Sequence, residues 1–283
     1  MKTVRDVLNL STQYLEQRGI ERARREAENL LCDALATTRI GLYTDLDRPL
    51  QESELTLCRS RLARRSQGEP NAYIHGSVEF YDCVLEVNPN VLIPRQETAL
   101  LVDHIAQVIT QSEEPKGQVL WDVCCGSGCI GISLKKRFPQ LEVIASDLSP
   151  EAVAITKRNA VRNQVEIAVL EGDLLQPFHD QRCHFFVCNP PYISEEEYAS
   201  LSPEVRDHEP RLALVGGSDG LEFYRRLAST LKEHLHPQAR AYFELGTQQG
   251  SAIQRLFNEE AWKSSRIVED WAGHQRFFFL ENE

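Results

Sequence analysis

Phe185-Phe186-Val187-Cys188-Asn189-Pro190-Pro191-Tyr192 is the stretch on which the reading of this chain turns. Its first residues are apolar, aromatic and β-branched, and they follow the polar cluster His179-Asp180-Gln181-Arg182. Such a run reads as a buried strand of a parallel sheet. Two consecutive prolines permit neither a helix nor a ladder, so the strand stops at Asn189. An amide is thereby held on a stiff loop at the carboxyl end of a strand, the edge where open α/β sheets bind ligands. The Asn189 and Pro190 carbonyl oxygens are two acceptors for the hydrogens of one NH2 group, and Tyr192 can cover a planar amide or base. The set suits transfer of a group onto a weakly nucleophilic planar nitrogen.

Similar runs recur upstream at 119–123, 141–147 and 165–170, and downstream at 239–245. Helical spacing fills the gaps after 128, from Pro150, over 220–235 and over 248–260. Ser149-Pro150-Glu151 is a cap followed by proline at the first helical position. Alternating β and α units of this length predict a doubly wound parallel sheet with right-handed crossovers. The two final runs, about 265–270 and 276–281, lie too close for a helical crossover. One of the seven strands is therefore expected to be antiparallel.

The first part of the chain has a different period. Val4, Val7, Leu8 and Leu15, then Ala27, Leu30, Leu31, Ala34 and Leu35, keep helical spacing, and a third helix is expected over about 52–65. Ser77-Val-Glu-Phe-Tyr81 and Val84-Leu-Glu-Val87 alternate around Asp82-Cys83, which predicts a hairpin. A helix over 97–111 follows Leu92-Ile-Pro-Arg-Gln-Glu-Thr98. The expected division is a helical N-terminal substrate-docking domain over 1–72, a β-hairpin linker over 73–96 and an α/β domain over 97–283. Arg22, Arg24, Arg25 and Arg61, Arg64, Arg65 form basic clusters, read either as a solvated helix face or as a docking surface.

Composition sets limits. At 42% hydrophobic and 26% charged, the 283 residues match a soluble globular protein of one or two domains. No apolar run reaches membrane-spanning length, and the Met1-Lys2-Thr3-Val4-Arg5 start leads into an amphipathic helix and not a signal peptide. Eight cysteines without paired spacing predict reduced thiols and a cytoplasmic protein. The net charge of −11 opposes nonspecific nucleic-acid binding. Residues 1–75 carry 12 Lys+Arg against 11 Asp+Glu, so all the excess acid lies in the remainder, with 19 against 31.

Gly126-Ser127-Gly128 sits between the 119–123 strand and its helix, where small residues let backbone N–H groups approach a ligand. It is not the dinucleotide fingerprint, since Cys129, Ile130 and Gly131 follow. Asp147, ending the next strand, can accept from both hydroxyls of a ribose. Asp173, after the third, can accept from an adenine amino group. Cys124, Cys125 and Cys129 lack a second ligand pair at zinc spacing, so no metal is expected.

Gly126-Ser-Gly128, Asp147, Asp173 and Asn189-Pro-Pro-Tyr192, in this order, resemble class I S-adenosylmethionine-dependent methyltransferases acting on amino groups. More narrowly, the chain resembles the release factor glutamine methyltransferases of the PrmC/HemK family over nearly its whole length. Leu92-Ile-Pro-Arg-Gln-Glu-Thr98, Ala213-Leu-Val-Gly-Gly-Ser-Asp-Gly220 and Phe243-Glu-Leu-Gly246 are further marks. The resemblance implies a seven-stranded sheet with one antiparallel strand. It implies methyl transfer from S-adenosylmethionine to the side-chain amide nitrogen (N5) of the glutamine in the Gly-Gly-Gln loop of class I peptide chain release factors. Cys124, Cys125, Gly126, Ser127, Gly128, Asp147, Asp173, Leu174 and Asn189 would then hold the cofactor. Asn189, Pro190, Pro191 and Tyr192 would hold the substrate, with Asn189, Pro190 and Tyr192 catalytic. The expected partners are release factors, without nucleic acid or membrane, and the expected state is a monomer.

One departure stands out. The family usually has Leu-Gly-Thr-Gly-Ser-Gly where this chain has Val123-Cys-Cys-Gly-Ser-Gly128. If Cys124 must adopt φ > 0, its side chain costs about 1 kcal/mol or more. Two other readings are open. An adenine-N6 DNA or guanine-N2 RNA methyltransferase uses a similar tetrapeptide but needs a phosphate-binding surface. A catalytically idle cofactor-binding adaptor would have no need of an intact Asn-Pro-Pro-Tyr.

Overall fold

The computed structural model describes residues 2–111 and 117–283. Of the expected N-terminal helical segment, Met1 lies outside the described residues. The chain forms two compact units: Met1–Gly76 with Ser202–His208, and Ser77–Leu201 with Glu209–Glu283. Among the described residues no helix is long and apolar enough to cross a membrane.

The first unit is built from helices Val4–Glu16, Ala23–Ala34, Arg39–Thr44, Glu52–Ser66 and Asn71–His75. Thr3 starts the first of them with a capping box, its hydroxyl taking the Asp6 N–H while the Asp6 carboxylate takes the Thr3 N–H. The residues picked out by helical spacing do form the core, with Leu8, Leu15, Ala27 and Leu31 essentially buried. The second arginine cluster is engaged within the unit. Arg61 pairs with Asp33, Arg64 with Glu69, and the buried Arg65 bridges Glu26 and Glu204 at 2.7 and 2.8 Å. Arg22 and Arg25 remain exposed.

The second unit opens with the hairpin β1 (Ser77–Phe80) and β2 (Cys83–Glu86). Asn159 on the helix Pro150–Arg162 and Asn163 at its C-cap supply the hairpin with a polar edge. Asn163 accepts from the Val84 N–H and donates to its carbonyl; Asn159 does the same for Glu86. The segment read as a linker is thereby fastened to the α/β unit by side chains that mimic a ladder.

The main sheet contains β3 (Val119–Val123), β4 (Glu142–Asp147), β5 (Ala168–Glu171), β6 (Cys183–Cys188), β7 (Leu235–Glu244), β8 (Ser264–Glu269) and β9 (Gln275–Glu281). Their order is β5-β4-β3-β6-β7-β9-β8, with β9 alone antiparallel. Alternating residues feed two apolar layers, Leu120 and Phe277 into one and Trp121, Phe186, Phe243 and Phe278 into the other. Trp121 stacks on Phe178 with ring centroids 4.0 Å apart. Such a pair contributes about 0.5–1.5 kcal/mol beyond its buried area. The chain runs from β3 toward one edge through β4 and β5, then returns to β6 on the other side. That reversal makes the carboxyl ends of β3 and β6 the switch point at which such sheets bind ligands.

Candidate active site

Strand register aligns the functional side chains. Val123 pairs with Ser146 on one side and Cys188 on the other, and Cys188 pairs with Phe243. The next residues along, Asp147, Cys124, Asn189 and Glu244, therefore form a row across four neighbouring strand ends. A cavity opens above this row. Cys124, Cys125, Gly126, Ser127, Asp147 and Asn189 line it, as does Pro191. Arg95 and Thr98 contribute from the segment before and within the helix Gln96–Gln111. Arg95 is held by Glu209, which also accepts the Ile93 N–H.

The glycine loop is tied to Asp147 by hydrogen bonds. The Gly126 N–H donates to Asp147 Oδ2 at 2.8 Å and the Ser149 N–H to Oδ1 at 2.9 Å. Each oxygen keeps a lone pair for a further donor. Burial raises the Asp147 carboxyl above its ordinary value, partly offset by these N–H groups. Gly128 is left-handed, at φ +79°, and a Cβ there would stand 2.7 Å from Thr156 Cγ2. Its role is to let the helix Pro150–Arg162 pack against the loop; it does not line the cavity. Cys124 has φ +60°, the strained conformation that the sequence made conditional.

Two buried acids support the row. Asp122 in β3 accepts the Gly131 N–H at 2.8 Å, and burial, reinforced by the nearby Asp147 charge, pushes its carboxyl up to about 7. Glu244 at the end of β7 accepts from the Thr98 hydroxyl at 2.7 Å and stands beside Asn189 on the neighbouring strand end, whose side chain favours its charged form. Neither has a signal in the sequence beyond its neighbours: Asp122 is one residue of a strand run, and Glu244 part of Phe243-Glu-Leu-Gly246.

Several expected residues lie elsewhere. Asp173 and Leu174 do not line the cavity: β5 ends at Glu171, and the Asp173 carboxylate pairs with Arg226 at 2.6 Å. Leu174 turns into the core on the Trp121 side of the sheet. Pro190 is buried below the surface of the cavity. The Tyr192 ring lines a second cleft, with Thr247, Gln249 and Arg276. Gln249 Nε2 donates to the Tyr192 carbonyl at 2.8 Å, and burial lifts the phenol above its usual range. Asn-Pro-Pro-Tyr thus contributes Asn189 and Pro191 to one cleft and Tyr192 to the other.

The cavity suits an adenosyl ligand. Gly126 presents open space where a Cβ would stand, which gives backbone access, and the two Asp147 carboxylate oxygens have acceptor capacity beyond their backbone donors.

Comparison with known proteins agrees. Residues 6–76 match the family described as PrmC N-terminal domain, and residues 96–204 the methyltransferase small domain. A release factor glutamine methyltransferase of Chlamydia trachomatis is 42% identical, covering 99% of this chain and 94% of its own. One from Geobacter sulfurreducens is 39% identical, with 97% and 95% covered. A methyltransferase structure from Pyrococcus furiosus, 15% identical, superposes with a TM-score of 0.52 over 78% of this chain and 98% of its own, which shows the fold alone. The chain belongs to the release factor glutamine methyltransferases, S-adenosylmethionine-dependent enzymes, as its motifs implied.

Proposed function

We propose that this protein methylates the side-chain amide nitrogen of the glutamine in the Gly-Gly-Gln loop of class I peptide chain release factors. The observation that carries the reading is the row of strand ends, which places Asn189 beside the glycine loop and Asp147 in one cavity. Bound S-adenosylmethionine supplies an activated methyl on a sulfonium, so the protein's task is to hold and aim the acceptor. The Gly126–Ser127 backbone and Asp147 hold the cofactor. Asn189 Oδ1 takes an N–H bond of the acceptor amide and directs its nitrogen toward the methyl. The same acceptor stabilises positive charge as it grows on that nitrogen. The cleft lined by Tyr192, Thr247 and Arg276 receives the backbone around the glutamine. No general base is needed, because an amide nitrogen carrying an extra methyl and a positive charge loses its proton readily.

A net charge of −11 favours a protein acceptor over a nucleic acid. The helical unit supplies contacts remote from the reacting nitrogen, which an acceptor as small as one amide requires for selectivity. Incubating the protein with labelled S-adenosylmethionine and a release factor, then locating the methyl by mass spectrometry, tests the reading. Label on the Gly-Gly-Gln glutamine is expected; label elsewhere, or none, overturns it.

A further inference from the structure

We propose that Glu244, braced by Thr98, is a positioning residue that turns the Asn189 amide so that its carbonyl oxygen faces the acceptor. The inference rests on the methyl-transfer reading of the same cavity. A side-chain amide can be rotated end for end with little steric change, so a strand-end asparagine does not by itself present oxygen in preference to nitrogen. Something must choose. Glu244 is 1% exposed, occupies the strand end next to Asn189, and when ionised offers acceptors and no donor. One of its oxygens takes the Thr98 hydroxyl at 2.7 Å, and the carboxylate stands at the strand end beside Asn189, whose side chain favours its charged form. With Asn189 Nδ2 committed to that carboxylate, Oδ1 is left for the cavity. Thr98 itself lines the cavity and is 2% exposed, so the brace is rigid.

The arrangement depends on pH. Burial pushes the Glu244 carboxyl up to about 7, against the Thr98 and Asn189 hydrogen bonds and the Arg276 charge. Glu97 adds a repelling charge, and Cys129, Tyr192 and Tyr224 are the other titratable groups that sense Glu244. Once protonated, Glu244 can donate to Asn189 Oδ1 and so compete with the acceptor amide. Turnover is therefore present above about pH 7 and lost as pH falls through that value.

The test uses the full chain. The Asn189 side-chain NH2 resonances, followed by NMR without substrate, are expected to titrate near pH 7 in the wild type and to stay fixed in Glu244→Gln. Glu244→Leu is expected to lower kcat at least 30-fold while KM for the release factor and calorimetric affinity for S-adenosylmethionine change less than threefold. Glu244→Gln, which like the protonated acid carries a donor that can reach Asn189 Oδ1, is expected to show the lowered kcat of the wild type at acid pH, with a flat profile from pH 6 to 8. Thr98→Val, a milder change, is expected to lower kcat several-fold. Asn189 resonances that respond to pH identically in wild type and Glu244→Gln would overturn the inference, as would Glu244→Leu with wild-type kcat. Failure of the wild type to methylate a release factor is a separate result, which the NMR titration does not depend on.

Discussion

In the helical unit, Glu28 lies 1% exposed beneath Arg24, Arg39 and the Tyr43 hydroxyl; in the α/β unit, Asp122 and Glu244 are equally buried, yet backbone N–H groups, a hydroxyl and an amide hold them. Burial acts on both sets in the same direction. At Glu28 the hydrogen bonds and cations outweigh it and hold the carboxyl below its ordinary value. At Asp122, Asp147 and Glu244 burial wins, and all three are raised. Glu209 is a buried, charge-paired acid of the α/β unit, held by Arg95 at the cavity. The contrast separates acids that fasten helices from acids that keep capacity for a ligand or neighbour, and the second kind gathers at the carboxyl edge of the sheet.

Asn189→Ala probes that edge most severely. Loss of an acceptor matched to developing charge is expected to raise the barrier by about 3–4 kcal/mol, if comparable to an oxyanion-hole donor, with cofactor affinity kept. Turnover above roughly a tenth of wild type, a loss under ~1.4 kcal/mol, would remove Asn189 from the chemistry. Arg65→Met probes the other side. It strips Glu26 and Glu204 of their shared partner, and urea unfolding is expected to show a loss of about 3 kcal/mol.

Asp122 sharpens the contrast through pH. Its folded carboxyl keeps a proton up to about 7, whereas an unfolded aspartate has released it by about 4. The native state binds more protons in that window, so stability falls as pH rises through it. Asp122→Asn is expected to flatten the slope of melting temperature between pH 4.5 and 7; an unchanged slope would show that Asp122 titrates normally. The smallest effect is expected at Cys124→Gly, which relieves a φ of +60° and is expected to gain up to about 1 kcal/mol in urea unfolding.

Much of this was readable from local pattern. The seven strands, the antiparallel β9 and the placement of Asn189, Asp147 and the glycine loop follow from runs of a few residues and the stops beside them. What escaped depends on partners distant in sequence. Thr98 and Glu244 stand 146 positions apart, and nothing near either announces the pair. Asp173 was expected in the cavity because it follows a strand, but the strand ends two residues sooner and Arg226, 53 positions later, takes its carboxylate. The helix expected over 248–260 spans only Gly250–Leu256, because Asn258 turns left-handed at φ +46°. The hairpin's attachment rests on Asn159 and Asn163, which helical spacing treats as ordinary polar positions.

Whether the two kinds of acid site do different work is measured most directly by calorimetric titration of S-adenosylmethionine into Asp147→Ala and Arg65→Met. Asp147→Ala is expected to bind about tenfold to a hundredfold more weakly, the loss of one charge-assisted hydrogen bond of roughly 1.5–3 kcal/mol, with unfolding free energy changed by about 1 kcal/mol. Arg65→Met is expected to bind like the wild type while folded, despite its lower stability. Wild-type affinity in Asp147→Ala, or an equal loss in Arg65→Met, would contradict the division.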